Sequence, residues 1–141
     1  MPLMKMYALT TVVLLFKMFA ISITQGIGRV SSQIYTVPED AKLFGGKVER
    51  EEVPSVQRAS ACWRNDLENI PMFLILAGIY EMAGLSAHYF AIYCITFTAM
   101  RILHTFFYLK GVQPWRTVVF TIGTFAMFAM AIQVLIEVAF A

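Results

Sequence analysis

Three polar residues stand in an otherwise apolar tract: Arg101, His104 and Tyr108, spaced R-x-x-H-x-x-x-Y among Ile, Leu, Phe and Thr. At 100° per residue their side chains fall within about 60° of one another on one helical face. An ionisable side chain inside a membrane span costs roughly 2.5–3.5 kcal/mol. Three aligned polar groups therefore favour an inward-facing site over separate excursions of each side chain to the headgroups. The same chemistry recurs at the ends of the other apolar tracts. Arg29 lies just past the first, Arg64, Asn65 and Glu68 just before the second, and Arg116 at the start of the last. Four arginines against one or two carboxylates make a pocket for an anion with more than one negative group. The planar guanidinium fork suits carboxylates in bidentate fashion and stays charged when partly desolvated.

The elements that must bring these groups together are readable from composition. Of the 141 residues 59% are hydrophobic and 14% charged, with a mean hydropathy of +0.68, whereas soluble domains carry about a quarter charged residues. The charges cluster between Glu39 and Arg58. This pattern indicates an integral membrane protein and excludes a disordered chain, a disulfide-stapled secreted domain and an ordinary cytosolic enzyme. The net charge of +2, with no basic run interleaved with aromatics, excludes nucleic acid as a partner. A span needs about 20 apolar residues, which predicts helices near 6–28, 70–87, 88–109 and 118–140. A polar segment, 29–69, separates the first two, and the other connections are short. The expectation is an all-α, up-down four-transmembrane-helix bundle forming a single membrane domain over residues 1–141. The apolar character resumes after Lys17, so the first tract reads as a retained span and not a cleaved signal. Arg29, Lys42, Lys47, Arg50, Arg58 and Arg64, with Lys110 and Arg116 in the third connection, place those segments in the cytoplasm and both termini on the other side.

Other polar residues carry less. Lys17 lies about 18 Å above Arg29 along its helix, and Glu81 is expected at comparable depth, so the two are expected to pair. His88 and His104 lie about 24 Å apart on one helix and cannot share a metal. Cys62 and Cys94 read as two structural thiols, Glu137 as interfacial, and Glu49, Glu51 and Glu52 with Lys47 and Arg50 as a solvated loop. No metal site is expected, and no HExxH, GxGxxG, P-loop or nucleophile elbow occurs.

In family order the chain carries Lys17-Met18-Phe19, Arg29, Pro38-Glu39-Asp40-Ala41, Val56-Gln57-Arg58, Arg64-Asn65-Asp66-Leu67-Glu68-Asn69-Ile70, Arg101-Ile102-Leu103-His104-Thr105, Tyr108-Leu109 and Pro114-Trp115-Arg116. On these the sequence resembles the membrane-associated proteins in eicosanoid and glutathione metabolism, the MAPEG family. Its nearest branch there is that of microsomal glutathione transferase and the glutathione-dependent microsomal prostaglandin E synthase. The resemblance implies a homotrimer with glutathione bound between neighbouring subunits on the cytoplasmic side. By matched position Arg29, Arg64, Asn65, Glu68, His104, Tyr108 and Arg116 would hold glutathione, with Arg101 supporting the site from the same face. Arg116 would lie nearest the sulfur, and Asp40 and Thr117 match positions of catalytic helpers, the latter a serine in the prostaglandin synthase. There are departures. The family's R-A-H-x-N-D reads Ala61-Cys62-Trp63-Arg64-Asn65-Asp66, Phe120 stands where the prostaglandin synthase has tyrosine, and the loop between Tyr108 and Arg116 is one residue shorter.

The function so implied is a glutathione transferase that adds the glutathione thiolate to hydrophobic electrophiles dissolved in the bilayer, with lipid-hydroperoxide reduction as a related activity. A first alternative is the isomerisation of an endoperoxide to a prostaglandin, which Asp40 permits and Phe120 disfavours. A second is a non-enzymatic lipid-presenting scaffold, which would not keep most of the glutathione positions filled. A small four-helix exporter would need an acidic residue deep in the first span, where this chain has Lys17. The membrane would be the endoplasmic reticulum in a eukaryote and the inner membrane in a bacterium.

Overall fold

The computed structural model describes residues 3–140. The described chain is almost wholly helical: α1 (Leu3–Ser32), β1 (Ile34–Tyr35), α2 (Pro38–Phe44), β2 (Lys47–Val48), α3 (Pro54–Met82), α4 (Ala87–Lys110) and α5 (Trp115–Phe140). By length and composition α1, α4 and α5 can cross a membrane. The remaining long helix, α3, is polar in its first half and apolar from Ile70 onward. Pro38 and Pro54 open α2 and α3, where the missing N–H costs nothing and the fixed φ suits a first turn. Gly111 closes α4 with φ of +70°, a left-handed cap that glycine reaches without strain.

The α1–α3 and α3–α4 pairs are antiparallel, and their registers follow from side-chain contacts. On α1 and α3, Ile21 packs with Ala59 and Cys62. A Cβ on Gly28 would lie 2.6 Å from Val56 Cγ2, so that glycine permits the close approach of the two helices. On α3 and α4, Phe73 stacks on Phe97 with centroids 3.8 Å apart, and Tyr80 stacks on Phe90 at 5.2 Å. The main core lies in the half of the molecule away from the loop, built from Leu14, Ile70, Phe73, Ala77, Tyr80, Phe90, Cys94, Phe97 and Met130. Tyr80 closes its far end by donating to Gln133 Oε1 at 2.8 Å. Large apolar side chains also cover the outside, among them Phe16, Phe19 and Ile23 on α1 and Phe125, Phe128 and Ile132 on α5. Water would not tolerate such a surface, whereas lipid would.

The 29–69 segment is more ordered than a solvated loop. β1 and β2 pair in parallel, Ile34 with Lys47 and Tyr35 with Val48. The short helix α2 makes the crossover, and buried Tyr35 stacks on Phe44. The apolar tract expected to form the second span, 70–87, is divided: the helix ends at Met82, and Ala83–Ser86 turn into α4. Gly84, with φ of +66°, makes that turn.

Candidate functional site

The polar groups gather in the loop-side half of the molecule, where the antiparallel registers bring the lower parts of α1, α3, α4 and α5 together. At the deepest level Lys17 of α1 forms an ion pair with Asp66 of α3. This corrects the expected Lys17–Glu81 pair. The polar run Arg64–Asn69 belongs to the continuous helix α3 and rises along α1 from the Gly28–Val56 contact, so Asp66 reaches the level of Lys17. Glu81 lies at the opposite end of α3. Asp66 is fully buried and the Lys17 side chain is 8% exposed.

Beside this pair Arg101 of α4 donates from Nη1 to Asn65 Oδ1 at 2.8 Å. Its guanidinium carbon lies 5.1 Å from the Phe97 ring centroid and 5.2 Å from that of Phe120. Arg101 is 1% exposed, so it lines no open surface of the protomer; it stands behind Asn65. The aligned R-x-x-H-x-x-x-Y face therefore does not present three equivalent ligands. Arg101 and His104 are buried, whereas Tyr108 is half-buried. Phe120, at the position expected to be tyrosine in the prostaglandin synthase, packs its ring against both Arg101 and His104, the latter at 5.8 Å.

One turn nearer the loop, His104 meets the Tyr108 ring at 5.4 Å, and the Arg116 guanidinium sits 4.7 Å from the centroid of that ring. With its carboxamide turned to satisfy both neighbours, Gln113 accepts from Arg116 Nη2 at 2.6 Å and Nε at 3.1 Å and donates to Thr117 Oγ1 at 3.1 Å. Arg116 is half-buried and Thr117 exposed. Gln113 and Phe97 were not singled out from sequence. A glutamine three residues before an arginine gives no signal until the turn between α4 and α5 folds it back.

The remaining expected site residues lie around this core. Arg64 and Glu68 are exposed, one turn apart on the outer face of α3. Arg29, at the end of α1, is not free: its Nε donates to Glu52 Oε1 at 2.5 Å, which takes Glu52 out of the expected solvated loop. Asp40 sits half-buried on α2, without a hydrogen bond or ion pair to the other candidates among the described residues. Cys62, buried on α3, donates to Thr105 Oγ1 at 3.8 Å. Three atoms of the inner group, Asp66 Oδ1, Arg101 Nη2 and His104 Nδ1, have no hydrogen-bond partner among the described residues.

Within the protomer Arg116, Tyr108 and His104 come together beside the buried Arg101, Asn65, Lys17 and Asp66 group, while Arg64 and Glu68 are exposed on α3 without a hydrogen bond or ion pair to them among the described residues. The fit to an anionic peptide thiol rests on that donor set: guanidinium groups for carboxylates and for a thiolate, and one carboxylate for an ammonium.

A family model described as the MAPEG family matches residues 7–136. Among similar curated proteins, the prostaglandin E synthase of Rattus norvegicus is 33% identical over 134 residues, covering 94% of this chain and 88% of the relative. That of Homo sapiens is 31% identical over 139 residues, with coverage of 98% and 91%. Microsomal glutathione S-transferase 1 of Rattus norvegicus is 30% identical over 128 residues, with coverage of 87% and 83%.

Proposed function

The chain belongs to the MAPEG family, and from that premise we propose that this integral membrane protein is a glutathione-dependent transferase acting on hydrophobic electrophiles. One observation supports it most: Arg116 is held at the rim by the Tyr108 ring and the Gln113 carboxamide, beside buried Arg101 and His104. A free thiol with a pKa near 8.5 is mostly protonated at neutral pH. An adjacent fixed guanidinium favours the ionised sulfur. Arg116 is the thiolate stabiliser in this reading. The thiol proton leaves to solvent, the sulfur lone pair forms the C–S bond, and a halide departs in substitution or a proton is taken up in addition. Arg64, Asn65, Glu68, Tyr108 and Arg29 hold the peptide ends, Arg101 supports them from behind, and Asp40 and Thr117 are helpers.

In the proposed assembly the four long helices cross the membrane as one domain, residues 1–141, and three protomers enclose the glutathione sites between them. The exposed stripe of α3 favours this. A 30 Å hydrocarbon core measured down from Met82 takes in about 20 residues at 1.5 Å each, reaching the level of Arg64. Exposed Arg64 and Glu68 would face hydrocarbon there unless another copy covered them, at roughly 2.5–3.5 kcal/mol per charge. Met72, Ile75, Ile79 and Met82 continue the same exposed stripe. The membrane is the endoplasmic reticulum or, in a bacterium, the inner membrane.

A second reading is glutathione-dependent isomerisation of a prostaglandin endoperoxide, favoured by the relatives that bear the name prostaglandin E synthase. Purified protein is given glutathione with an aryl halide in one assay and a prostaglandin endoperoxide in another. Turnover of the halide supports conjugation, turnover of the endoperoxide alone supports isomerisation, and turnover of neither refutes both. Arg116→Ala should abolish conjugation at saturating glutathione with assembly intact; retained turnover would remove Arg116 from the role.

A further inference from the structure

The hydrogen bond between Arg101 and Asn65 has a direction, and that direction determines what Asn65 can read. A carboxamide presents an acceptor on one side and two donors on the other, and it can ordinarily turn over to suit its neighbours. A guanidinium has five N–H donors and no acceptor. With Arg101 Nη1 at 2.8 Å from Asn65 Oδ1, turning the amide over would set N–H against N–H and forfeit a charge-assisted bond. Arg101 cannot yield either. It is 1% exposed and held between the Phe97 and Phe120 rings. The helix that carries Asn65 is fixed in rotation at the next residue by the buried Lys17–Asp66 ion pair, and the Asn65 backbone carbonyl accepts from Asn69 Nδ2 at 2.7 Å. The Asn65 NH2 makes no hydrogen bond within the protomer, and its side chain is half-buried one residue from exposed Arg64.

We infer that Arg101 is a positioning residue that locks the Asn65 carboxamide with its oxygen inward and its NH2 outward, so that Asn65 recognises a hydrogen-bond acceptor on the ligand, a carboxylate or an amide carbonyl. The identity of the ligand as glutathione rests on the reading above; the orientation of the amide does not. Arg101 itself touches no ligand. Phe120 takes part by covering one face of the guanidinium.

Three variants of the full-length protein in lipid nanodiscs test this, with the dissociation constant for glutathione and the thermal midpoint measured on each. Asn65→Asp keeps an acceptor toward Arg101 and turns it into an ion pair, but it has no donor left for the ligand. Its thermal midpoint should equal or exceed that of the unsubstituted protein, while glutathione binds at least tenfold more weakly. Arg101→Gln can donate or accept and so frees the amide to turn, which weakens binding several-fold. Arg101→Lys, a donor with no acceptor, should recover most of that loss, a rescue that packing alone would not give. Asn65→Asp binding glutathione as tightly as the parent would overturn the inference, as would Gln and Lys behaving alike at position 101. If the Arg101 variants do not fold, Asn65→Asp decides by itself. A parent protein that binds no glutathione would refute the proposed function and not the amide orientation. In that case solvent exchange of the Asn65 side-chain NH2, followed by NMR, decides: fast exchange supports the outward orientation and protection contradicts it.

Discussion

Asp66→Ala is the substitution whose consequence follows most directly from the interior of the molecule. Asp66 is fully buried and the Lys17 side chain is 8% exposed, so the variant leaves a buried ammonium without its partner at the middle of the helix pack. Removing one partner of a buried ion pair typically costs about 3–5 kcal/mol. An unpaired lysine inside a span costs a similar roughly 2.5–3.5 kcal/mol. Two independent routes thus give the same magnitude, several times the loss expected from an exposed pair. The companion substitution Lys17→Met lifts most of the penalty, because the double variant Lys17→Met/Asp66→Ala replaces two desolvated charges by apolar groups, which is often neutral or stabilising. Reversible unfolding in mixed micelles, run as a double-mutant cycle, measures the coupling. A coupling above about 2 kcal/mol is expected. An Asp66→Ala variant within about 0.5 kcal/mol of the parent, comparable to a typical surface change, would show that the pair carries no such load. A larger loss from Glu81→Ala than from Asp66→Ala would restore the Lys17–Glu81 pairing.

Glu52→Gln releases Arg29 from its ion pair; the Arg29 side chain is 36% exposed, so stability should change by less than about 1 kcal/mol. If Arg29 serves an anion site, the freed guanidinium should bind glutathione more tightly, by up to about fivefold, and unchanged or weaker binding in titration calorimetry would remove Arg29 from the site. Gly111→Ala forces a side chain into a left-handed conformation with φ of +70° and into the Arg58 guanidinium. The backbone alone costs about 1–2 kcal/mol, so the thermal midpoint should fall, and a neutral result would mean that the α4 cap relaxes freely. Phe120→Ala strips one ring from Arg101; because Phe120 is only half-buried it should cost less than the about 3–5 kcal/mol of a fully buried phenylalanine, and Phe120→Leu, which keeps bulk but no ring face, should recover only part of that in the same unfolding assay.

The apolar runs around α1, α4 and α5 announce those helices because hydrocarbon demands long uninterrupted stretches. The lower half of α3 is harder to read. Arg64, Asp66 and Glu68 break the hydropathy, yet the buried positions Val56, Ala59, Cys62, Asp66, Ile70 and Phe73 recur at three- and four-residue spacing, the mark of a continuous helix. Placing the membrane boundary at Ile70 is what sent Lys17 to Glu81: depth has to be counted along the pairing of α1 with α3, and an antiparallel register is set by contacts such as Gly28–Val56 that hydropathy does not encode. The R-x-x-H-x-x-x-Y spacing identified a polar face on α4. It favoured the interior, where Arg101 and His104 are buried, but it could not say that Tyr108 stays half-buried, because a sector of about 60° spans both the interior and its rim. The Arg29–Glu52 and Gln113–Arg116 contacts depend on how loops fold back on helix ends, and there the local sequence carries no period to follow.

Arg116, in the proposed function, holds a tripeptide thiol deprotonated, and the ultraviolet absorbance of a thiolate reports this directly. Glutathione added to the purified protein at neutral pH should develop a thiolate band that saturates with binding and is lost in Arg116→Ala. Bound glutathione with no thiolate band, its thiol titrating as it does free in water, would contradict the account.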